Sequence, residues 1–509
     1  MKYDPQATHK RPTTGPQTAH KRPTNGNFMK KITAIIAAVV LAFVIALGDQ
    51  IIKLGLSGDI KAFFGMSDDM IEIPDKPKLP VTEKQPEEVN LSYDERMEKG
   101  DYYYDRGFLT FAANEYVKAS NLEQERIMPY LNLTQTNYDL MDYGKAKSNA
   151  EQILKLDHGN YEARHLLVSI AIRQSEFVKA EQLIDELFLD GVTDYRLIYY
   201  KALLKITFDQ HKEGKTLLKQ AMEESLEDHE INEKIHKILA GYEEFEFAKA
   251  AEELYLAELL ARAFNQIGEY EIAIYKLKEI LRARSDLRDS WILLGFAYLN
   301  LEKYLFALTS FEHAYEIDPE WSATQYFLGI TYAEIARHDD AIVYLNYALE
   351  NGFEPDVIVK QKLADLYLET EEYEKSVAAY QEVLDITKQD VNAFVRPIWI
   401  YLDFLNQPQK ALKLGEMAVI TFPENPMSYN LLGWSQVGTK NYIESEKNLK
   451  KAITMDPEFA AAHYNLAKLY EEQKRIELAL ENYQKAYELD QSGSIGNLAA
   501  KRYNALLLE

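Results

Sequence analysis

The chain has 509 residues, 47% of them apolar and 27% charged, with a net charge of −24. It contains no cysteine, which excludes disulfides and thiolate-held metal. Its acidity disfavours nucleic acid and anionic membrane surfaces as partners and favours basic or apolar ones.

Residues 1–31 read as a disordered basic tail. Lys2, Lys10, Arg11, Lys21, Arg22, Lys30 and Lys31 oppose only Asp4, so this segment carries about +6 and the remainder −30. Its Pro, Thr, Gly and Gln content buries too little apolar surface to fold alone. The two Lys-Arg clusters suit anionic lipid headgroups. No aromatics are interleaved with them for base stacking, so no nucleic acid is expected.

Residues 32–48 read as a transmembrane signal anchor or a signal peptide. Ile32 to Leu47 carries no charge. As a helix it spans ~24 Å, a little short of a ~30 Å hydrocarbon core. It exceeds the usual apolar stretch of a signal peptide, ~7–15 residues, although Ala46 and Gly48 supply small residues for cleavage. A buried soluble helix is the third alternative. Lys30 and Lys31 precede the run and Asp49 follows it. That asymmetry places the N-terminus in the cytoplasm and the rest of the chain outside, in a single-pass cell-membrane topology. Residues 49–92 form a juxtamembrane segment and a linker whose prolines make it stiff and extended.

From Tyr93 onward the chain repeats. The pattern is clearest at Trp291, Leu294, Gly295, Tyr298, Ala307, Phe311, Ala314 and Pro319. Tyr298 lies 34 residues after Phe264 and 34 before Tyr332; Ala307 has the same spacing to Ala273 and Ala341. A period of this size marks stacked helix pairs. Trp291, Leu294 and Tyr298 share one helical face, and Ala307, Phe311 and Ala314 share another. Gly295, Ala307 and Ala314 allow close approach, and the large rings fill the space between. Pro319 ends the second helix and opens the next.

This pattern resembles the tetratricopeptide repeat (TPR) family. Units start at Tyr93, Ile127, Tyr161 and Tyr195, and again at Leu254, Arg288, Ser322, Val357, Val391, Pro426 and Ala460. The resulting division is a four-repeat N-terminal block (93–228), a helical insertion (229–253), a seven-repeat C-terminal block (254–493) and a capping helix (494–509). Flexure is expected at the insertion. The resemblance implies an all-α, right-handed superhelical solenoid of about eleven helix-turn-helix units.

The chain shows no Gly-rich phosphate loop and no Gly-x-Ser-x-Gly elbow. His229-Glu230 and His236 are too far apart for a zinc-protease helix. No catalytic, cofactor-binding or metal site is expected, and the chain is read as a non-enzyme. In the TPR family the first helix of each unit lines a concave groove, through unit positions 2, 5, 9 and 12. By that resemblance the groove falls on Ile292, Phe296, Leu299, Tyr326, Ile330, Val395, Trp399, Leu402, Trp434, Val437 and Tyr464. This face is apolar and aromatic, and it lacks the Lys, Asn and Arg set with which some members clamp a terminal carboxylate. Its expected occupant is an apolar-anchored partner peptide or helix, with Trp399 and Trp434 as the anchors of the interaction. The function so implied is a membrane-anchored scaffold for protein–protein interaction at the cell envelope. The alternatives are a non-catalytic subunit of an envelope enzyme complex and, if the apolar run is not a span, a soluble cytoplasmic adaptor.

Overall fold

The computed structural model describes residues 91–507, apart from 226, 249–251, 388–389 and 492. The basic tail, the apolar run and the linker lie outside the described residues. Among the described residues no helix is long and apolar enough to cross a membrane.

The described residues form 24 α-helices and no strand. Four helix pairs come first: α1 (Tyr93–Tyr104) with α2 (Leu109–Leu122), α3 (Met128–Asp139) with α4 (Tyr143–Leu156), α5 (Tyr161–Arg173) with α6 (Phe177–Leu189), and α7 (Tyr195–Thr207) with α8 (His211–Glu224). The single helix α9 (His229–Phe247) follows. Pairing resumes with α10 (Glu253–Gln266) and α11 (Tyr270–Ala283), α12 (Arg288–Asn300) and α13 (Tyr304–Ile317), α14 (Ser322–Glu334) and α15 (His338–Glu350), and α16 (Asp356–Glu369) and α17 (Tyr373–Ile386). The last elements are α18 (Val395–Trp399) with α19 (Pro408–Thr421), α20 (Pro426–Gly438) with α21 (Tyr442–Met455), α22 (Ala460–Glu472) with α23 (Ile476–Leu489), and α24 (Ser494–Leu506). The whole is an all-α solenoid.

One backbone device closes every pair. A single residue between the two helices takes a left-handed conformation: Gly107, Met141, Ser175, Asp209, Gly268, Glu302, Ala336, Glu371, Asn406, Lys440 and Lys474. Its side chain is glycine only at 107 and 268, the residue type with no Cβ penalty there. Helix starts are fixed by side-chain caps where the sequence supplies them. Ser92 and Glu95 form a reciprocal capping box, and Asp142, Asn160, Asp194 and Asp228 each accept a backbone N–H of the first turn.

Within a pair, a small residue meets a large one. An added Cβ on Gly295 would lie 2.5 Å from the Phe311 ring. Phe311 in turn stacks on Phe327 of the next pair, with centroids 5.2 Å apart. Ala307, Phe311 and Ala314 are fully buried. Pro319 departs from expectation: α14 begins at Ser322, so the proline lies in the turn before it. Its carbonyl accepts from the Gln325 side chain at 2.7 Å, which fixes the turn instead of extending a helix.

The insertion also departs from expectation. It is no hinge between separate cores, because Ile235, Ile238 and Tyr242 of α9 belong to one apolar cluster running from Val168 to Leu366. Helix α11 packs back against α5 and α7. The Tyr275 ring meets Phe177 and Phe208 edge-on, at 5.5 and 6.5 Å. A second irregularity lies around Pro397. Lacking an N–H, proline cannot donate to the preceding turn. Residues Val391–Phe394 form a 3-10 turn and Ile400–Phe404 a π-turn, on either side of the short α18.

Candidate functional site

The expected groove residues are held within the packing of the C-terminal repeats. Phe296, Tyr326 and Val395 are core side chains, each under 10% exposed. Phe296 meets Tyr270 and Phe327, and Tyr326 stacks on Phe353 at 4.4 Å. Ile292, Leu299 and Ile330 are half-buried against that first cluster. Trp399, Leu402 and Trp434 pack with Val395 on a second cluster, and Val437 and Tyr464 on a third. The eleven residues are thus distributed over three apolar clusters. The Trp399 indole N–H donates to Asp403 at 2.9 Å, one turn away on its own irregular helix.

An open cleft lies elsewhere, on the first helices of the second, third and fourth pairs. Helices α3, α5 and α7 enclose about 450 Å³. Met128, Leu131 and Leu166 supply its apolar wall and Tyr138, Tyr161 and Tyr200 its aromatic one. Asn132, Gln135, His165 and Ser169 line it with polar atoms, and Glu162 and Arg196 stand at the rim. That size is within the range of ordinary ligand clefts, ~300–1,000 Å³. Helix α3 is tied to α1 by Asn132, which donates to Asp101 at 3.1 Å, and Gln135 donates within α3 to Asp139 at 2.9 Å.

The cation at the mouth is already paired. Arg196 contacts Asp194 through Nη2 at 2.7 Å, and Tyr161 donates to the same carboxylate. Burial works against ionised Asp194, but the bonds from Arg196 and Tyr161 prevail and hold its pKa down at about 2. Burial pushes the Tyr161 phenol up to about 12, so it remains a donor at neutral pH. His165 faces Tyr161 and Tyr200, with centroids at 5.9 and 6.4 Å. Burial, reinforced by nearby Arg196, holds its pKa below the ordinary imidazole value. The ring is therefore neutral, and its buried Nε2 has no hydrogen-bond partner.

A buried ionic network stands behind the cleft. Arg173 Nε donates to the Tyr138 hydroxyl at 3.0 Å, and its Nη1 lies 2.9 Å from Glu271 and 3.3 Å from Glu269. Burial works against the Arg173 charge, but Glu269, Tyr138 and Glu271 more than offset it and hold the guanidinium ionised. Burial raises the Glu269 pKa. Lys276 makes a second bond across the same interface, to Asp209 at 2.7 Å. Helix α11 is thereby fixed against α5 and α7.

Among the described residues no group of three or more His, Asp or Glu is placed to hold a metal ion. The cleft offers aromatic faces and single hydrogen-bonding groups, which suits recognition of a chain segment.

Its residues follow the positional rule used for the C-terminal half. Met128, Leu131, Gln135 and Tyr138 are positions 2, 5, 9 and 12 of the second unit. His165 and Ser169 are positions 5 and 9 of the third, and Arg196 is position 2 of the fourth. Their mixture of polar and aromatic side chains does not stand out in the sequence as the apolar C-terminal positions do.

Family models described as tetratricopeptide repeat match residues 289–320 and 359–390, and residues 430–494. Those segments are tetratricopeptide repeats. No curated protein matches the chain. Among solved structures, yeast Tom70 is 15% identical, over 82% of this chain and 96% of that one, with a TM-score of 0.31. The APC/C hetero-tetramer Cut9-Hcn1 is 13% identical, over 81% and 96%, also at 0.31. YrrB, titled a TPR protein with an unusual peptide-binding site, is 18% identical, over 44% and 97%, at 0.27. Scores this low describe a loose overall likeness.

Proposed function

We propose that this tetratricopeptide-repeat chain is a non-catalytic scaffold that captures a peptide segment of a partner protein in the cleft between α3, α5 and α7. The observation that carries the reading is the cleft itself: an open, concave surface of about 450 Å³ lined by helices of three consecutive repeats. We further propose that residues 32–48 tether the chain to the cell membrane, with the repeats on the extracytoplasmic side. The support for that is the uncharged Ile32–Leu47 run with Lys30 and Lys31 before it.

A photo-crosslinking amino acid placed at exposed Met128, at the rim, tests the first part in cells. A control position is Ile443, 82% exposed on α21. A discrete protein adduct from position 128 and none from 443 is the expected result. Equal adducts from both positions would overturn the cleft as the site. Fractionation with protease protection tests the second part: the repeats should sediment with membranes and resist protease in intact cells. Recovery in the soluble fraction would refute the tether.

A further inference from the structure

We propose that the partner segment held in the cleft is basic, with a lysine or arginine bound to Asp101 and Asp139 along the α1–α3 edge and its apolar neighbours in the cleft itself. This rests on the reading that a peptide occupies the cleft.

Charge points to such an occupant. The cations around the cleft are matched by acids of the chain: Arg196 by Asp194, Arg164 by Asp190, Arg126 by Glu123, and Arg173 by Glu269 and Glu271. The acids are not all matched in return. Glu162 at the rim, Asp101 on α1 and Asp139 on α3 have no Lys, Arg or His at ion-pair distance among the described residues. All three are exposed. An acidic segment would meet these three carboxylates and only cations that are already engaged. A basic segment is attracted by each of them. The excess of negative charge on the whole chain steers it the same way.

The geometry places two of the three carboxylates together. Asp101 accepts from the Tyr116 hydroxyl at 2.7 Å and from Asn132 at 3.1 Å. Asp139 accepts from the Tyr104 hydroxyl at 2.6 Å and from Gln135 at 2.9 Å. Asn132 and Gln135 line the cleft and lie about one turn apart on α3. The two carboxylates therefore stand one bond behind the cleft wall, about one turn apart along it. Their partners are neutral donors, which orient a carboxylate without cancelling its charge. Burial and the bond to Asp139 push the Tyr104 phenol up to about 12, so it keeps donating at neutral pH. A long basic side chain can hold its head at that edge while its methylene stem lies on the apolar wall of the cleft.

The test uses the full chain, purified in detergent and immobilised, against a displayed library of random dodecapeptides. Selected peptides should share a lysine or arginine beside apolar residues. Changing that residue to norleucine in a synthetic peptide should weaken binding about fivefold, the upper end for an exposed ion pair. The same change should cost nothing against the double variant Asp101→Asn, Asp139→Asn, which keeps both carbonyl acceptors and should bind the norleucine peptide as wild type does. Raising NaCl from about 0.1 to about 1 M shortens the screening length from about 10 to about 3 Å and should weaken binding to wild type but hardly to the variant. A photo-crosslinker at position 128 should capture the selected peptides, and one at 443 should not. Capture at 128 of peptides that share no basic residue, or an equal norleucine penalty in wild type and variant, overturns the basic anchor alone. No capture at 128, or no binders from the library, overturns the cleft reading along with it.

Discussion

Replacing Arg173 with methionine should loosen helices α5 and α11 together, although 97 residues separate Arg173 from Tyr270 at the start of α11. The guanidinium is 2.9 Å from Glu271 and 3.3 Å from Glu269, and those carboxylates are only 4% and 3% exposed. Methionine retains most of the apolar stem and removes the charge. Two buried carboxylates then lose their partner and must either stay ionised in a poor solvent or take up protons at neutral pH. Breaking a buried ion pair on one side costs about 3–5 kcal/mol. Protonating a single carboxylate of ordinary pKa at pH 7 costs about 3 kcal/mol, which is the same scale. The array need not unfold in one step, so a local probe is required. Amide hydrogen exchange provides it. Exchange should accelerate about a hundredfold or more in both 161–173 and 270–283, with little change in α21 or α23. Adding Glu269→Gln and Glu271→Gln to Arg173→Met should recover most of the protection, because a neutral set leaves no orphan charge. Acceleration confined to α5, or no recovery in the triple variant, would refute the view that this network holds α11 over the N-terminal repeats.

Three other outcomes follow from the geometry. Gly295→Ala places a methyl 2.5 Å from the Phe311 ring, itself stacked on Phe327, and should destabilise by about 1–3 kcal/mol in a thermal melt; Phe311→Leu should restore part of the loss. Asp194 has its pKa lowered from 3.8 to about 2, so its contribution of about 2 kcal/mol is present above the ordinary aspartate value and lost as pH falls toward 2. The stability gap between wild type and Asp194→Asn, read from urea midpoints, should therefore be widest above pH 5 and shrink by pH 2; a gap that widens on acidification would contradict the assignment. Trp399→Ala with Trp434→Ala should lower stability by about 2 kcal/mol or more, since both rings pack on the Val395–Leu431 cluster. Unchanged melting of that double variant would mean the two rings are free for a partner.

The sequence disclosed the helix pairs because their packing obeys a local rule. A small residue recurs at the Ala307 position and, in most units, a larger apolar one at the Phe311 position, so a fixed spacing reports them. The left-handed turn residue recurs at the same spacing, yet it is glycine only at 107 and 268. Met141, Glu302 and Lys440 hold the same conformation with no signature in residue type. The return of α11 onto α5 and α7 was illegible for a different reason. Arg173 with Glu271 and Lys276 with Asp209 are single pairings between distant segments, and nothing periodic carries them. The insertion marked where the phase broke but not which surfaces it would join.

The cleft shows how one positional rule yields two kinds of surface. At inward positions of the C-terminal units the side chains are Phe296, Tyr326, Val395 and Trp399, and neighbouring helices cover or half-cover them. At the corresponding positions of the second to fourth units stand Gln135, His165, Ser169 and Arg196. Burying such groups without partners is penalised, so a face that carries them cannot close on itself as an apolar face does. The apolar and aromatic side chains at those C-terminal positions are thus largely taken up by the protein's own packing. The polar residues interleaved with tyrosine on α3, α5 and α7 stand on a face that is left open.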